Sequence, residues 1–288
     1  MNAVVRYRAL SWACAAAAIA ILGWITVAVY GDGQVPVIAC LTGGATLACL
    51  RWGGHRGLVL WQTVDAPAQA PRVAALILAI LFIGHLAHAV LVYTDTLSWL
   101  SVHLTSTSIW IALCIAAVWT GYIAWPKRQA RPPTRDFIWV SGVAITLALL
   151  YSWVYSFHGD DGGQRIAVSG IPPVVILLIT VAGATIEEVV FRVLLLTALV
   201  QVSRSMGHGL ILSSFAFALM HIPGAFAQPI LQNDPALLDY VIHTYPLKFA
   251  WQLGIGFALG ALWIRTGSIT LICLIHTILN LRLWSLGL

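Results

Sequence analysis

Nine stretches of sixteen to thirty mostly apolar residues leave this chain few ways to fold in water. A spanning helix needs about 20 such residues, because the hydrocarbon layer is ~30 Å thick and each helical residue rises ~1.5 Å. The stretches run over residues 10–30, 35–50, 73–93, 105–125, 137–155, 171–200, 209–225, 249–264 and 269–286, the second, seventh and eighth being short. Of the 288 residues 60% are hydrophobic and only 9% charged, against about 45–50% and ~25% in a soluble domain. Soluble globular, disordered and nucleic-acid-binding classes are therefore excluded, and the expected fold is an all-α, polytopic transmembrane helical bundle of about eight or nine spans.

The net charge of +5 reports topology rather than an anionic partner. With the amino terminus inside, the cytoplasmic segments collect eleven Lys and Arg and the outer ones only Arg165 and Lys248, the bias that orients membrane proteins. This predicts a cytoplasmic amino terminus in a bacterial-type plasma membrane. The first stretch has a basic flank like a signal peptide's, but its apolar run is long and no convincing cleavage site ends it, so it reads as a retained helix. A Pro- and Arg-rich segment (126–135) and a Gly/Asp loop (156–170) suggest two modules: residues 1–165, of unknown role, and residues 166–288, with a four-helix catalytic unit. The five cysteines lie in apolar stretches without a C-x-x-C pair and read as core thiols. Gly256 and Gly260, a G-x-x-x-G, read as a packing face. Many of the thirteen tryptophans lie near stretch ends, where interfacial anchoring accounts for them.

The acidic residues carry the functional signal. All eight Asp fall in loops or at stretch edges, whereas the only two Glu, Glu187 and Glu188, stand side by side inside the sixth stretch. A charge at the bilayer centre costs from about 2.5 kcal/mol upward, so two together need a compensating role. Arg192 follows Glu188 by four residues and shares its helical face, so those two can pair. Glu187 is turned about 100° away and has no partner on its own helix, which suits a general base.

Polar groups on later stretches can meet it. The seventh carries Phe217-Ala-Leu-Met-His221 and the ninth His276-Thr-Ile-Leu-Asn280, the latter placing an imidazole and a carboxamide on one helical face. Measured from the cytoplasmic ends, Glu187, His221 and Asn280 fall at depths of about 20, 18 and 17 Å, and His276 at about 11 Å. A shared polar layer near mid-membrane follows, with helix separation wide enough to admit water.

Glu187-Glu188-Val-Val-Phe-Arg192, Phe217-x-x-x-His221 and His276-x-x-x-Asn280 together resemble the CPBP family of intramembrane glutamic endopeptidases, which includes the type II CAAX prenyl endopeptidases. The likeness covers roughly residues 172–286, and all three elements appear in order. It implies a peptide hydrolase in which Glu187 is the general base and His221 helps hold and activate the water. His276 and Asn280 would donate to the oxyanion, and Glu188, paired with Arg192, would fix the helix and tune the field on Glu187. The scheme needs no metal and no cofactor. The implied partner is a membrane-anchored protein or peptide substrate, cut at a C-terminal CAAX-like tail or a C-terminal sorting anchor.

Other readings stay open on residue grounds. H-E-x-x-H, G-x-S-G and paired intramembrane aspartates are absent, which removes zinc, rhomboid-type serine and aspartyl proteases. A metal held by Glu187, Glu188, His221 and His276 is chemically possible. An ion or proton transporter, or a non-catalytic chaperone or immunity-type membrane protein, would also use buried Glu and His. His85 and His88 share a face of the third stretch, where they could shape a substrate path or bind an ion, and His103 precedes the fourth; packing against neighbouring helices is the simpler account, and none is assigned to the site.

Overall fold

The computed structural model describes residues 134–158, 171–221 and 245–281, with single positions and short runs between 5 and 17 and between 75 and 87. Expected spans 35–50 and 105–125 lie outside the described residues, as do most of 10–30 and 73–93 and all of His85, His88 and His103. The described elements are all helical. They are α1 (Thr134–His158), α2 (Pro173–Glu188), a π-helical segment (Val189–Leu196), α3 (Thr197–Ser203), α4 (Met206–Met220), α5 (Tyr245–Thr266) and α6 (Ile269–Asn280).

The long helix starts where its sequence says it should. Pro173 occupies the first turn, where its missing N–H costs no hydrogen bond, and the Pro172 carbonyl accepts from Val175 N at 2.9 Å. From there α2, the π segment and α3 run on without a break to Ser203. Among the described residues, Pro173–Val200 is the one helix both long and apolar enough to cross a membrane. At ~1.5 Å per residue α4 rises about 23 Å and α6 about 18 Å, both short of a ~30 Å layer. A regular α period was expected throughout 171–200; instead the ladder widens over Val189–Leu196.

Two tight corners reverse the chain. At the first, Arg204 adopts the left-handed conformation (φ 52°), at a cost of about 1–2 kcal/mol, and Ser205 caps α4 by accepting from His208 N. At the second, Gly267 (φ 58°) donates its N–H to Trp263 O at 2.8 Å, and Ser268 caps α6 by accepting from Leu271 N. Each corner folds a helix back on its predecessor, so α4 lies between α3 and α5, and α6 packs on α1 and α2.

Close approach in the first group depends on missing side chains. A Cβ on Gly209 would stand 2.9 Å from Val200 N, and one on Gly256 would stand 3.1 Å from Ser214 Cα. Gly260 faces Leu210 on the same side of α5, so the G-x-x-x-G packs against α4. In the second group, Ser152 of α1 donates to Leu281 O at 2.7 Å where the chain leaves α6, and Tyr151 stacks on Trp251 of α5. Ile138, Trp139, Leu150 and Trp153 of α1 are exposed.

Candidate active site

The site is built where the C-terminal turns of α4 and α6 approach the middle of the long helix. Glu188 and Arg192 belong to its buried side and are 0% and 1% exposed. Arg192 Nε lies 3.2 Å from Glu188 Oε2, one helical turn earlier. The contact is an ion pair without hydrogen-bond alignment, since neither atom has a hydrogen-bond partner among the described residues. What holds the guanidinium in place is an aromatic face: its carbon sits 4.4 Å from the centroid of Phe217, itself fully buried. An ammonium-like charge over a ring is worth about 2 kcal/mol or more when desolvated.

His276 joins both carboxylates. Its Nδ1 donates to Glu188 Oε1 across 2.7 Å, and its Nε2 faces Glu187 Oε2 at 3.7 Å. A carboxylate only accepts, so the first contact fixes which ring nitrogen carries a proton and orients the ring. The second gap exceeds a direct hydrogen bond. Glu187 differs from its neighbour in exposure, with 28% of its side chain accessible, although Oε2 is buried and has no hydrogen-bond partner among the described residues.

The sequence placed His221 inside an apolar helix reaching residue 225. In the structure α4 ends at Met220 and His221 occupies the following turn. The reason is legible afterwards: Pro223 disfavours the α conformation at Ile222 and offers no N–H. His221 Nδ1 donates to Phe217 O at 2.8 Å, giving that carbonyl a partner at the helix end. Its ring lies 4.9 Å from the Phe217 ring, which also meets His276 edge-on at 5.9 Å. Phe217 thus stands among Arg192, His221 and His276.

The ninth stretch is also shorter than its hydropathy suggested. Asn280 is the last residue of α6 and is exposed, and Leu281 is already extended. The structure therefore brings Glu187, Glu188, Arg192 and His276 into one contact group and links His221 to it through Phe217. Asn280 lies one turn beyond His276 at the helix end.

Two features had weak or no sequence signal. The π segment is one, because VVFRVLLL reads as ordinary apolar helix. π turns are rare and frequently mark functional sites. Ser213 is the other: it is buried on α4 and donates to Phe191 O, inside the π segment, at 2.8 Å. A serine four residues before Phe217, hence on the same face, was the available clue.

No curated protein and no solved structure matches the chain. A family model does: residues 169–282 match the Rce1-like family, described as type II CAAX prenyl endopeptidase Rce1-like. That family is one of membrane-embedded proteases whose substrates are membrane-associated proteins. The matched segment contains all six polar residues singled out above and every helix from α2 to α6. Residues 169–282 are therefore what makes this chain similar to the Rce1-like family, a family of proteases described as type II CAAX prenyl endopeptidase Rce1-like.

Proposed function

We propose that this protein is an intramembrane endopeptidase of the glutamic type, working without a metal on a C-terminal CAAX-like tail or a C-terminal sorting anchor. The observation that supports it best is the single imidazole of His276 in contact with both adjacent glutamates. Glu187, the more accessible carboxylate, takes a proton from a water as the oxygen attacks the peptide carbonyl. His221 helps hold that water. The carbonyl carbon becomes tetrahedral, its oxygen anionic; the C–N bond then breaks and the leaving amine receives the proton from Glu187.

His276 and Asn280 donate to the anionic oxygen, each contributing on the order of 3–4 kcal/mol. With Nδ1–H given to Glu188, donation from Nε2 uses the doubly protonated ring. Glu187, Glu188, Arg192 and that ring then carry no net charge together, which favours the arrangement in a medium where a lone charge is expensive. Glu188 orients His276, and Arg192 offsets its charge.

The test uses purified full-length protein in detergent with a membrane-anchored peptide bearing a C-terminal tail. Cleavage that continues in strong chelator and is lost in Glu187→Gln is the expected result. Ion flux without cleavage would replace the protease reading with a transporter, and activity abolished by chelator would replace the water-activating carboxylate with a metal.

A further inference from the structure

The helix that carries both glutamates changes its winding one residue after Glu188, and a neighbouring helix reaches in at that place. Ser213 Oγ donates to Phe191 O at 2.8 Å, a buried contact across 22 residues of sequence. One turn later on the same face of α4, Phe217 lies under the Arg192 guanidinium at 4.4 Å and edge-on to the Phe191 ring at 5.2 Å. Two residues of α4, four apart, thus hold two consecutive residues of the π segment, one by its backbone and one by its charge. The guanidinium Nη atoms have no hydrogen-bond partner among the described residues, so Arg192 takes its position from this cradle and from Glu188.

We propose that Ser213 is a positioning residue for hydrolysis: through the Phe191 carbonyl it holds the π winding that sets Arg192 over Phe217 and against Glu188. Glu188 in turn orients His276. Wider winding leaves carbonyls off the regular i+4 ladder, and a side-chain hydroxyl inserted from a neighbour is one of the known ways such a distortion is held. In this role Ser213 acts through the Phe191 carbonyl and not on the reacting atoms. Its effect passes along the chain Phe191, Arg192, Glu188, His276, and it rests on the protease reading given above.

Ser213→Ala removes the hydroxyl without adding bulk, and Ser213→Thr keeps it. In the peptide cleavage assay Ser213→Ala should lower kcat about tenfold with KM within about twofold, as expected for the loss of one buried hydrogen bond that acts on the transition state. Ser213→Thr should restore kcat to within about threefold of the parent. In hydrogen exchange read by mass spectrometry, peptides covering residues 189–197 should exchange faster in Ser213→Ala and not in Ser213→Thr, with peptides of α5 unchanged. Equal loss in both variants, unchanged kcat in Ser213→Ala, or an exchange difference spread evenly over all helices would overturn the proposal. Absence of cleavage in the parent protein would strike the protease reading instead; the exchange measurement tests the positioning of the π segment without it.

Discussion

The two faces of α4 are packed by opposite means. Toward α5 it meets Gly256 and Gly260, and the helices fit because side chains are absent. Toward the π segment it offers Ser213 and Phe217, and the fit depends on a hydroxyl, a ring and a buried guanidinium. The first interface is held by backbone proximity, whose cost function is steric. The second is held by paired polar groups in a dry environment, where removing one member strands another. One helix therefore separates a region where substitutions act through steric fit alone from a region where, on the proposed mechanism, they act on chemistry as well.

The sharpest test of that division is Glu187→Gln. It keeps shape while removing the carboxylate proposed as the base, and kcat should fall by about 10²–10⁴-fold with thermal stability within about 1 kcal/mol, since Glu187 is partly exposed and its contact with His276, at 3.7 Å, is longer than a direct hydrogen bond. A stability loss as large as the activity loss would erase the distinction. Glu188→Ala should instead strike both: it leaves Arg192 and His276 without their carboxylate, a change of about 3–5 kcal/mol in unfolding free energy. A thermal melt alongside the cleavage assay separates the two outcomes.

Across α4, Gly256→Val should destabilise by about 1–3 kcal/mol by overpacking, because its Cβ would press on Ser214 backbone and side chain at 3.1 Å. The folded fraction, measured by active-site-independent gel filtration, should retain its kcat per molecule. Gly260→Ala is the mildest case. Its Cβ would meet the end of the flexible Leu210 side chain, which can turn aside, so a shift below about 1 kcal/mol in thermal stability is expected. If Gly260→Ala lowered kcat while leaving stability unchanged, the α4–α5 interface would belong to the site.

Which parts could be read in advance follows from range. Glu187, Glu188 and Arg192 announced themselves because charge inside an apolar run is anomalous whatever surrounds it. The Glu188–Arg192 approach was visible as well, being fixed by the spacing of one helical turn. The approach of His276 to Glu187 follows from the depth of each residue along its helix, whereas the hydrogen bond from His276 to Glu188, across 88 residues of sequence, has no local signal, and the oxyanion role inferred for His276 gives no hint of it. Hydropathy alone runs past the helix ends: α4 stops at Met220 although apolar residues follow, and the sequence carries that stop as Pro223.

Composition and local pattern by themselves determined a helical membrane chain and the residues that lipid would not tolerate without purpose, since both depend on transfer energies of single groups and on the period of one helix. Only the tertiary structure decided the winding of residues 189–196, the ring that carries Arg192, the turn that holds His221 and the meeting of His276 with two carboxylates. Those depend on which helix lies beside which, and a side chain's partner across a bundle is set by packing that no local sequence window contains.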